Sequence, residues 1–203
     1  MNFLAHLWLA GPDEGLRLGA VAGDFIKGPL PGTVPADMLA GVALHRAIDS
    51  FSDAHPAFQR ARARVPAPHR RFAGVMVDMF FDHFLAADWD AHHPAASLAG
   101  FAAAQYALLG AHAHRFPERA QRMIARMREG DWLSSYAEVA TIEYALDRIA
   151  TRLSRPERFL GCGQALRADY DGFGEDAAEF LTEVRAFAEA ERARLARRSG
   201  SGG

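Results

Sequence analysis

Among 203 residues there is one cysteine, Cys162, and one lysine, Lys27. A lone cysteine excludes an internal disulfide and points to a reducing compartment. With lysine almost absent, the positive charge is arginine, and the formal net charge is only −2. That balance gives no global case for nucleic acid. No apolar run is long enough to span a bilayer. The apolar opening MNFLAHLWLA lacks a basic start and a cleavage site, so it is not read as a signal peptide, and the expected location is cytoplasmic. No stretch alternates as a strand does, and no internal repeat is present. The glycines of GLRLGAVAGDFIKG match neither a Walker motif nor a dinucleotide fingerprint, and suggest tight turns or close packing. No GxSxG elbow is present, and Cys162 lies between two glycines without a neighbouring base, which disfavours serine or cysteine nucleophiles.

What the chain does have is helical periodicity. The spacing predicts a buried helix over Gly74–Trp89, with Val75, Met76, Met79, Phe80, Phe84 and Leu85 facing a core. Further helices are expected over Asp37–Ser50, Ser97–Leu109, Glu118–Arg128, Trp132–Leu153 and Asp176–Arg198. Pro29–Pro35 and Gly161–Gly163 read as loops, and Pro66 and Pro68 break the basic segment Gln59–Arg71. The expected fold is all-α, one multi-helix domain over residues 1–198 with a flexible tail at 199–203.

Half of the residues are hydrophobic, yet the apolar N-terminal helices carry charge. Asp78 and Asp82 lie four apart and share a face of the central helix, with His83 next in sequence. Buried carboxylates are costly unless something satisfies them. A divalent cation would do so; so would caps or arginines at a helix seam. His45 and Asp49 are also four apart, a spacing that suits chelation of one ion or orientation of the imidazole by the carboxylate. His6 in its apolar segment reads as a core histidine bonded to a backbone carbonyl, and Asp24 as the cap of a helix beginning at Phe25. Seven of the nine histidines fall in the first 93 residues, so any chemistry is expected in the N-terminal half. Histidine and aspartate without cysteine suit a hydrolytic Mn²⁺, Mg²⁺ or Fe²⁺ centre better than structural zinc. Arg60, Arg62, Arg64, Arg70 and Arg71 read as a solvated basic face or as a docking patch for an acidic partner.

Four separated segments, MNFLAHLWLA, AGDFIKG, AGVALHRAIDSFSDAHP and DMFFDHFLAADW, resemble the acyl carrier protein phosphodiesterase family. WLSSYAEVATIEYALDRIATR resembles its second half more loosely. The resemblance implies an all-helical fold similar to the HD-domain phosphohydrolases. It implies metal-dependent removal of 4′-phosphopantetheine from holo acyl carrier protein, leaving the apo protein. It places His6, Asp24, Asp82 and His83 near a metal, expected to be Mn²⁺, with His45, Arg46 and Asp49 around the phosphate or behind the ligands. His45 and Asp49 remain a chelating pair on spacing alone. Trp8 stands where some members carry histidine, and the pair here reads Asp82-His83 rather than His-Asp. On this reading Asp49 or Asp24 helps deprotonate the attacking water, Arg46 or Lys27 balances phosphoryl charge, and the arginines of 60–71 dock the acidic carrier protein. The alternatives are a phosphohydrolase acting on a nucleotide or another small phosphodiester, and a non-catalytic helical module that binds carrier protein.

Overall fold

The computed structural model describes residues 1–151, 156 and 159–200, and among them every regular element is helical. The chain begins with α1 (Phe3–Leu9) and α2 (Glu14–Ala22), the latter capped by the Asp13 side chain, which accepts from the Leu16 amide. A single 3₁₀ turn (Ala36–Met38) leads into α3 (Leu39–Ala54), and α4 (Pro56–Arg64) follows at once. His55 caps α4, its Nδ1 accepting from the Ala57 amide, while Pro56 supplies the fixed φ suited to a first helical position. A 3₁₀ stretch (Ala67–Phe72) then opens α5 (Ala73–Ala87), the helix expected at the centre. After α6 (Trp89–His92) come α7 (Leu98–Ala111), α8 (Glu118–Glu129), α9 (Trp132–Ser135), α10 (Val139–Ala150), α11 (Gln164–Ala168) and the long α12 (Tyr170–Gly200). No helix among the described residues is long and apolar enough to cross a membrane.

α5 is buried almost all round. Met76, Val77, Met79, Phe80, Phe81 and Leu85 all lie inside, more of the circumference than a single amphipathic face would give. α12 packs along α3, α4 and α5. Its Phe173, Ala177, Phe180, Leu181, Val184 and Ala188 recur at three or four and line the seam. Phe58 and Phe81 meet edge to face at 5.6 Å, with Phe180 5.2 Å from Phe81. Fully burying one such ring contributes roughly 1.5–3 kcal/mol.

α2 and α3 approach more closely than side chains normally allow. A Cβ built on Gly19 would fall 2.6 Å from Gly41 Cα, and one on Gly41 would fall 2.5 Å from the Leu16 carbonyl oxygen. The glycines read as turn or packing positions are thus the contact surface between two helices.

Several elements differ from those expected: α2 and α4 are helices in the glycine-punctuated and basic stretches, and α3 runs four residues past Ser50 to Ala54. The helix read over 132–153 is interrupted between α9 and α10, because the Tyr136 carbonyl accepts from the His83 ring instead of from a following amide. Leu153 lies outside the described residues. α12 begins six residues earlier than the periodicity suggested. Its Gly172 and Gly174 are places where Arg64 and Phe84 lie close against the helix backbone. It also continues to Gly200, into the segment expected to be a tail; residues 201–203 lie outside the described residues.

Candidate metal centre and its cleft

Three helices bring titratable groups to one place. α1 carries His6, α3 carries His45 and Asp49, and the turn leaving α2 carries Asp24. The two imidazole rings stack, with centroids 4.0 Å apart and planes 18° from parallel. His45 Nδ1 lies 2.8 Å from the Ala20 carbonyl oxygen and must donate to it, which leaves Nε2 as the lone-pair nitrogen of the neutral ring. That nitrogen sits 3.1 Å from Asp49 Oδ2 and 3.8 Å from Asp24 Oδ1. A lone pair facing two carboxylates is repulsive unless a proton or a cation lies between them. His6 Nε2 is 3.2 Å from Asp49 Oδ1, but neither of its buried ring nitrogens has a hydrogen-bond partner. His6 is therefore not the carbonyl-bonded core histidine that its apolar segment suggested.

The electrostatics keep these groups ready to act as donors. Burial and the neighbouring His45 push His6 down to about 3, so its ring is neutral at physiological pH. Burial opposes the charge on Asp49, but the protons that the facing imidazoles can offer it, together with the Met1 amine, outweigh that and hold the carboxyl below the usual range. Asp24 moves the other way: burial raises it, and the imidazole of His45 only partly opposes that. His6, His45 and Asp49 each offer one donor atom, and those atoms all lie within 4.8 Å of one another. Two nitrogens and one carboxylate oxygen, one nitrogen orphaned and another facing anions, fit a divalent cation.

Asp82 and His83 are occupied elsewhere. Asp82 Oδ2 accepts from the Leu4 amide at 2.9 Å, and Oδ1 from the Ala5 amide at 3.3 Å. These are amides that the first turn of α1 leaves without helical partners, and the Asn2 side chain does not cap them. Asp82 thus caps the positive end of α1 with both carboxyl oxygens. Burial still dominates and pushes its carboxyl up to about 7. His83 donates from Nδ1 to the Tyr136 carbonyl at 2.9 Å and accepts at Nε2 from the Tyr170 hydroxyl at 2.8 Å. Its ring ties the α9–α10 break to the start of α12, so neither nitrogen is free for a metal. Asp78, the other acid on this face of α5, lies 2.7 Å from the Met1 amine. Burial disfavours the charged amine, yet Asp78 and Asp49 more than compensate and raise it to about 10. The charge buried along α5 is therefore met by the start of α1, the cap alternative, rather than by an ion.

Beside the cluster opens a polar cleft of about 380 Å³, lined by Asp24, Lys27, His45, Arg46, Asp49 and neighbouring backbone. Lys27 is exposed on its rim and makes no ion pair among the described residues. Arg46 donates from Nη1 to the Gly28 carbonyl at 2.8 Å and from Nη2 to the Ile26 carbonyl at 3.0 Å. Asp24 does not cap a helix: Phe25 and Ile26 only extend the turn by bonding back to the Ala22 carbonyl.

The basic segment divides. Arg60 Nε and Arg64 Nε bond the two oxygens of buried Asp176 at 2.9 and 2.7 Å, and Arg64 also reaches Asp169. Arg62 pairs with Asp53 at 3.3 Å. These three arginines are engaged with the chain's own acids, two of them in the α4–α12 seam. Arg70 and Arg71 stay exposed without an ion pair among the described residues. The sequence cannot distinguish the two sets, because the partners of Arg60 and Arg64 lie more than a hundred residues away.

Comparison with known proteins bears on the same residues. The acyl carrier protein phosphodiesterase family matches residues 1–184. A protein named acyl carrier protein phosphodiesterase from Photorhabdus laumondii is 35% identical over 173 residues, covering 85% of this chain and 87% of its own length. One of the same name from Yersinia pestis is 33% identical over 170 residues, covering 84% and 88%. Another, from Salmonella paratyphi A, is 30% identical over 186 residues, covering 92% and 96%. No solved structure matches the chain significantly, so the likeness to HD-domain phosphohydrolases stays an expectation of the sequence.

Proposed function

We propose that this chain, which belongs to the acyl carrier protein phosphodiesterase family, hydrolyses the phosphodiester of holo acyl carrier protein, releasing 4′-phosphopantetheine and restoring the serine hydroxyl. The observation that carries this reading is the convergence of buried His6 with His45 and Asp49, the latter two lining a polar cleft, with one imidazole nitrogen orphaned and another facing carboxylates. Those three residues would hold a divalent cation, and Mn²⁺ suits their mixed nitrogen and oxygen donors. Bound there, the cation supplies a Lewis acid for the phosphoryl oxygen and makes water a better nucleophile near neutral pH.

The rest follows from this chain's own groups. His45 is locked in one tautomer by the Ala20 carbonyl, so its Nε2 faces the cleft as a donor. Asp49 spans the two rings and serves as a ligand rather than as the base. Asp24, half-exposed in the cleft and with its carboxyl raised by partial desolvation there, is better suited to take the proton from the attacking water. Lys27 on the rim meets the phosphoryl oxygens as charge develops on them. Asp82 and His83 support the site through the start of α1 and through α12, without touching substrate. Docking of the acidic carrier protein falls to Arg70 and Arg71. Reversing both to glutamate should raise KM for the carrier protein and weaken its dependence on salt.

The test is to incubate the purified protein with holo acyl carrier protein and Mn²⁺, and to follow the carrier's mass. Loss of the phosphopantetheine mass, abolished by a chelator and by His45→Ala, supports the reading. An unchanged carrier alongside cleavage of small phosphodiesters such as cyclic nucleotides would replace it with the nucleotide alternative.

A further inference from the structure

Arg46 follows His45 directly in α3 and lines the cleft, which makes it an obvious partner for a substrate phosphate. Its geometry says otherwise. Both terminal nitrogens of the guanidinium are committed to backbone carbonyls, Nη1 to Gly28 and Nη2 to Ile26. Those two residues flank Lys27. Phe25, Ile26 and Leu30 pack against the core on either side, but Lys27, Gly28 and Pro29 between them are exposed. The chain leaves α2 through a turn at Phe25 and Ile26, then reverses at Gly28, whose φ of +84° is in the left-handed region that favours glycine. A planar fork that donates to two carbonyls at once is a geometric clamp, and a lysine ammonium cannot reproduce it.

We infer that Arg46 is a positioning residue that clamps residues 26–28 to the ligand helix, so that Lys27 is presented to the cleft opposite Asp24, and that Lys27 rather than Arg46 meets the phosphate. The device couples the two halves of the site. His45 and Asp49 are fixed by α3 itself, and Asp24 follows Gly23, which packs on His45; the carbonyls on either side of Lys27 are what this one side chain ties to α3. Removing the clamp should spare metal binding and impair turnover, because His6, His45 and Asp49 do not depend on it. This inference rests on the hydrolase reading for its kinetic half, but its structural half does not.

The experiment compares Arg46→Lys, Arg46→Ala and Lys27→Ala with the wild-type protein in three assays: hydrolysis of holo acyl carrier protein, Mn²⁺ titration, and amide hydrogen exchange over residues 24–28. The clamp predicts that Arg46→Lys and Arg46→Ala lose kcat/KM to a similar extent, about 10–100-fold, as a misplacement near 1 Å can cause. Both should speed exchange over residues 24–28 and keep Mn²⁺ affinity within about threefold of wild type, less than the 10-fold that losing a ligand's support typically costs. Lys27→Ala should lose activity without speeding exchange. If Arg46→Lys keeps most of the activity that Arg46→Ala loses, the charge matters rather than the fork, and Arg46 is a phosphate ligand. Unchanged exchange in both Arg46 variants also overturns the clamp. Faster exchange in a protein whose wild type leaves the carrier intact would uphold the clamp and remove the hydrolase reading.

Discussion

Replacing Gly23 with alanine tests whether the position of His45 matters, with almost no other change. Gly23 ends α2 at φ −52° and ψ −38°, an ordinary right-handed conformation, so alanine brings no backbone strain. Alanine is in fact the better helix former by about 1 kcal/mol. The obstacle is local: a Cβ at this position would lie 2.3 Å from His45 Cγ and 2.5 Å from its Cδ2. Ordinary contact needs about 1 Å more, so the imidazole must retreat by that much. It cannot do so freely, because its other face stacks on His6 at 4.0 Å and its Nδ1 is tied to the Ala20 carbonyl. Gly23→Ala should therefore weaken Mn²⁺ binding about 10–100-fold, the range seen when the support of a metal ligand is disturbed. Forced overpacking should also cost about 1–3 kcal/mol of stability. Gly74→Ala is the matched control, since a Cβ there meets nothing within 4 Å. It should leave metal binding untouched. Isothermal titration with Mn²⁺ and thermal melts read both variants. Equal Mn²⁺ affinity in Gly23→Ala and Gly74→Ala would refute the claim that His45 is a positioned ligand.

Asp82 gives a pH prediction whose sign follows from its burial. Its carboxyl is raised to about 7 from an ordinary 3.8, so the native state holds a proton that the unfolded chain has lost. The stabilisation from that proton is complete below about pH 4 and disappears as pH rises through about 7. Asp82→Asn should flatten that part of the stability curve, and urea melts from pH 4 to 8 that run parallel for both proteins would contradict it. At the α4–α12 seam, Asp176→Asn should cost about 1–3 kcal/mol, since buried Asp176 receives charge-assisted bonds from both Arg60 and Arg64. A variant as stable as wild type would show that the seam does not need the pair. In the aromatic core, Phe180→Ala should cost about 3–5 kcal/mol without altering Mn²⁺ affinity at temperatures where it stays folded, because the ring packs on Phe58 and Phe81 and not on the cluster. A selective loss of metal binding would show that the core and the site are coupled.

Periodicity made the helices legible wherever local burial decided them. α5, α7 and α8 begin and end within two residues of expectation, α5 through its run of apolar residues, α7 through its Ser97 cap and α8 between Pro117 and Gly130. α2 and α4 were hidden by local composition, glycine in one and arginine in the other, whereas the remaining departures came from contacts between distant parts of the chain. The α9–α10 break depends on a His83 ring some fifty residues upstream, and the early start of α12 depends on glycines that read as loop residues until a neighbour is laid against them. The site was legible to the same degree. His45 and Asp49 share a helix, so their spacing exposed them. Asp82 and His83 looked equivalent on α5 but point to different partners, which a helical wheel cannot name. Arg60 and Arg64 looked like a docking face because Asp169 and Asp176 lie far along the sequence.

The measurement closest to the central claim is a crystal structure of the protein grown with Mn²⁺, with diffraction recorded for its anomalous signal. One strong peak is expected at coordination distance from His6 Nε2, His45 Nε2 and an Asp49 oxygen, with Asp82 still bonded to the Leu4 and Ala5 amides. A peak at Asp82 and His83, or no peak beside the stacked imidazoles at saturating Mn²⁺, would contradict it.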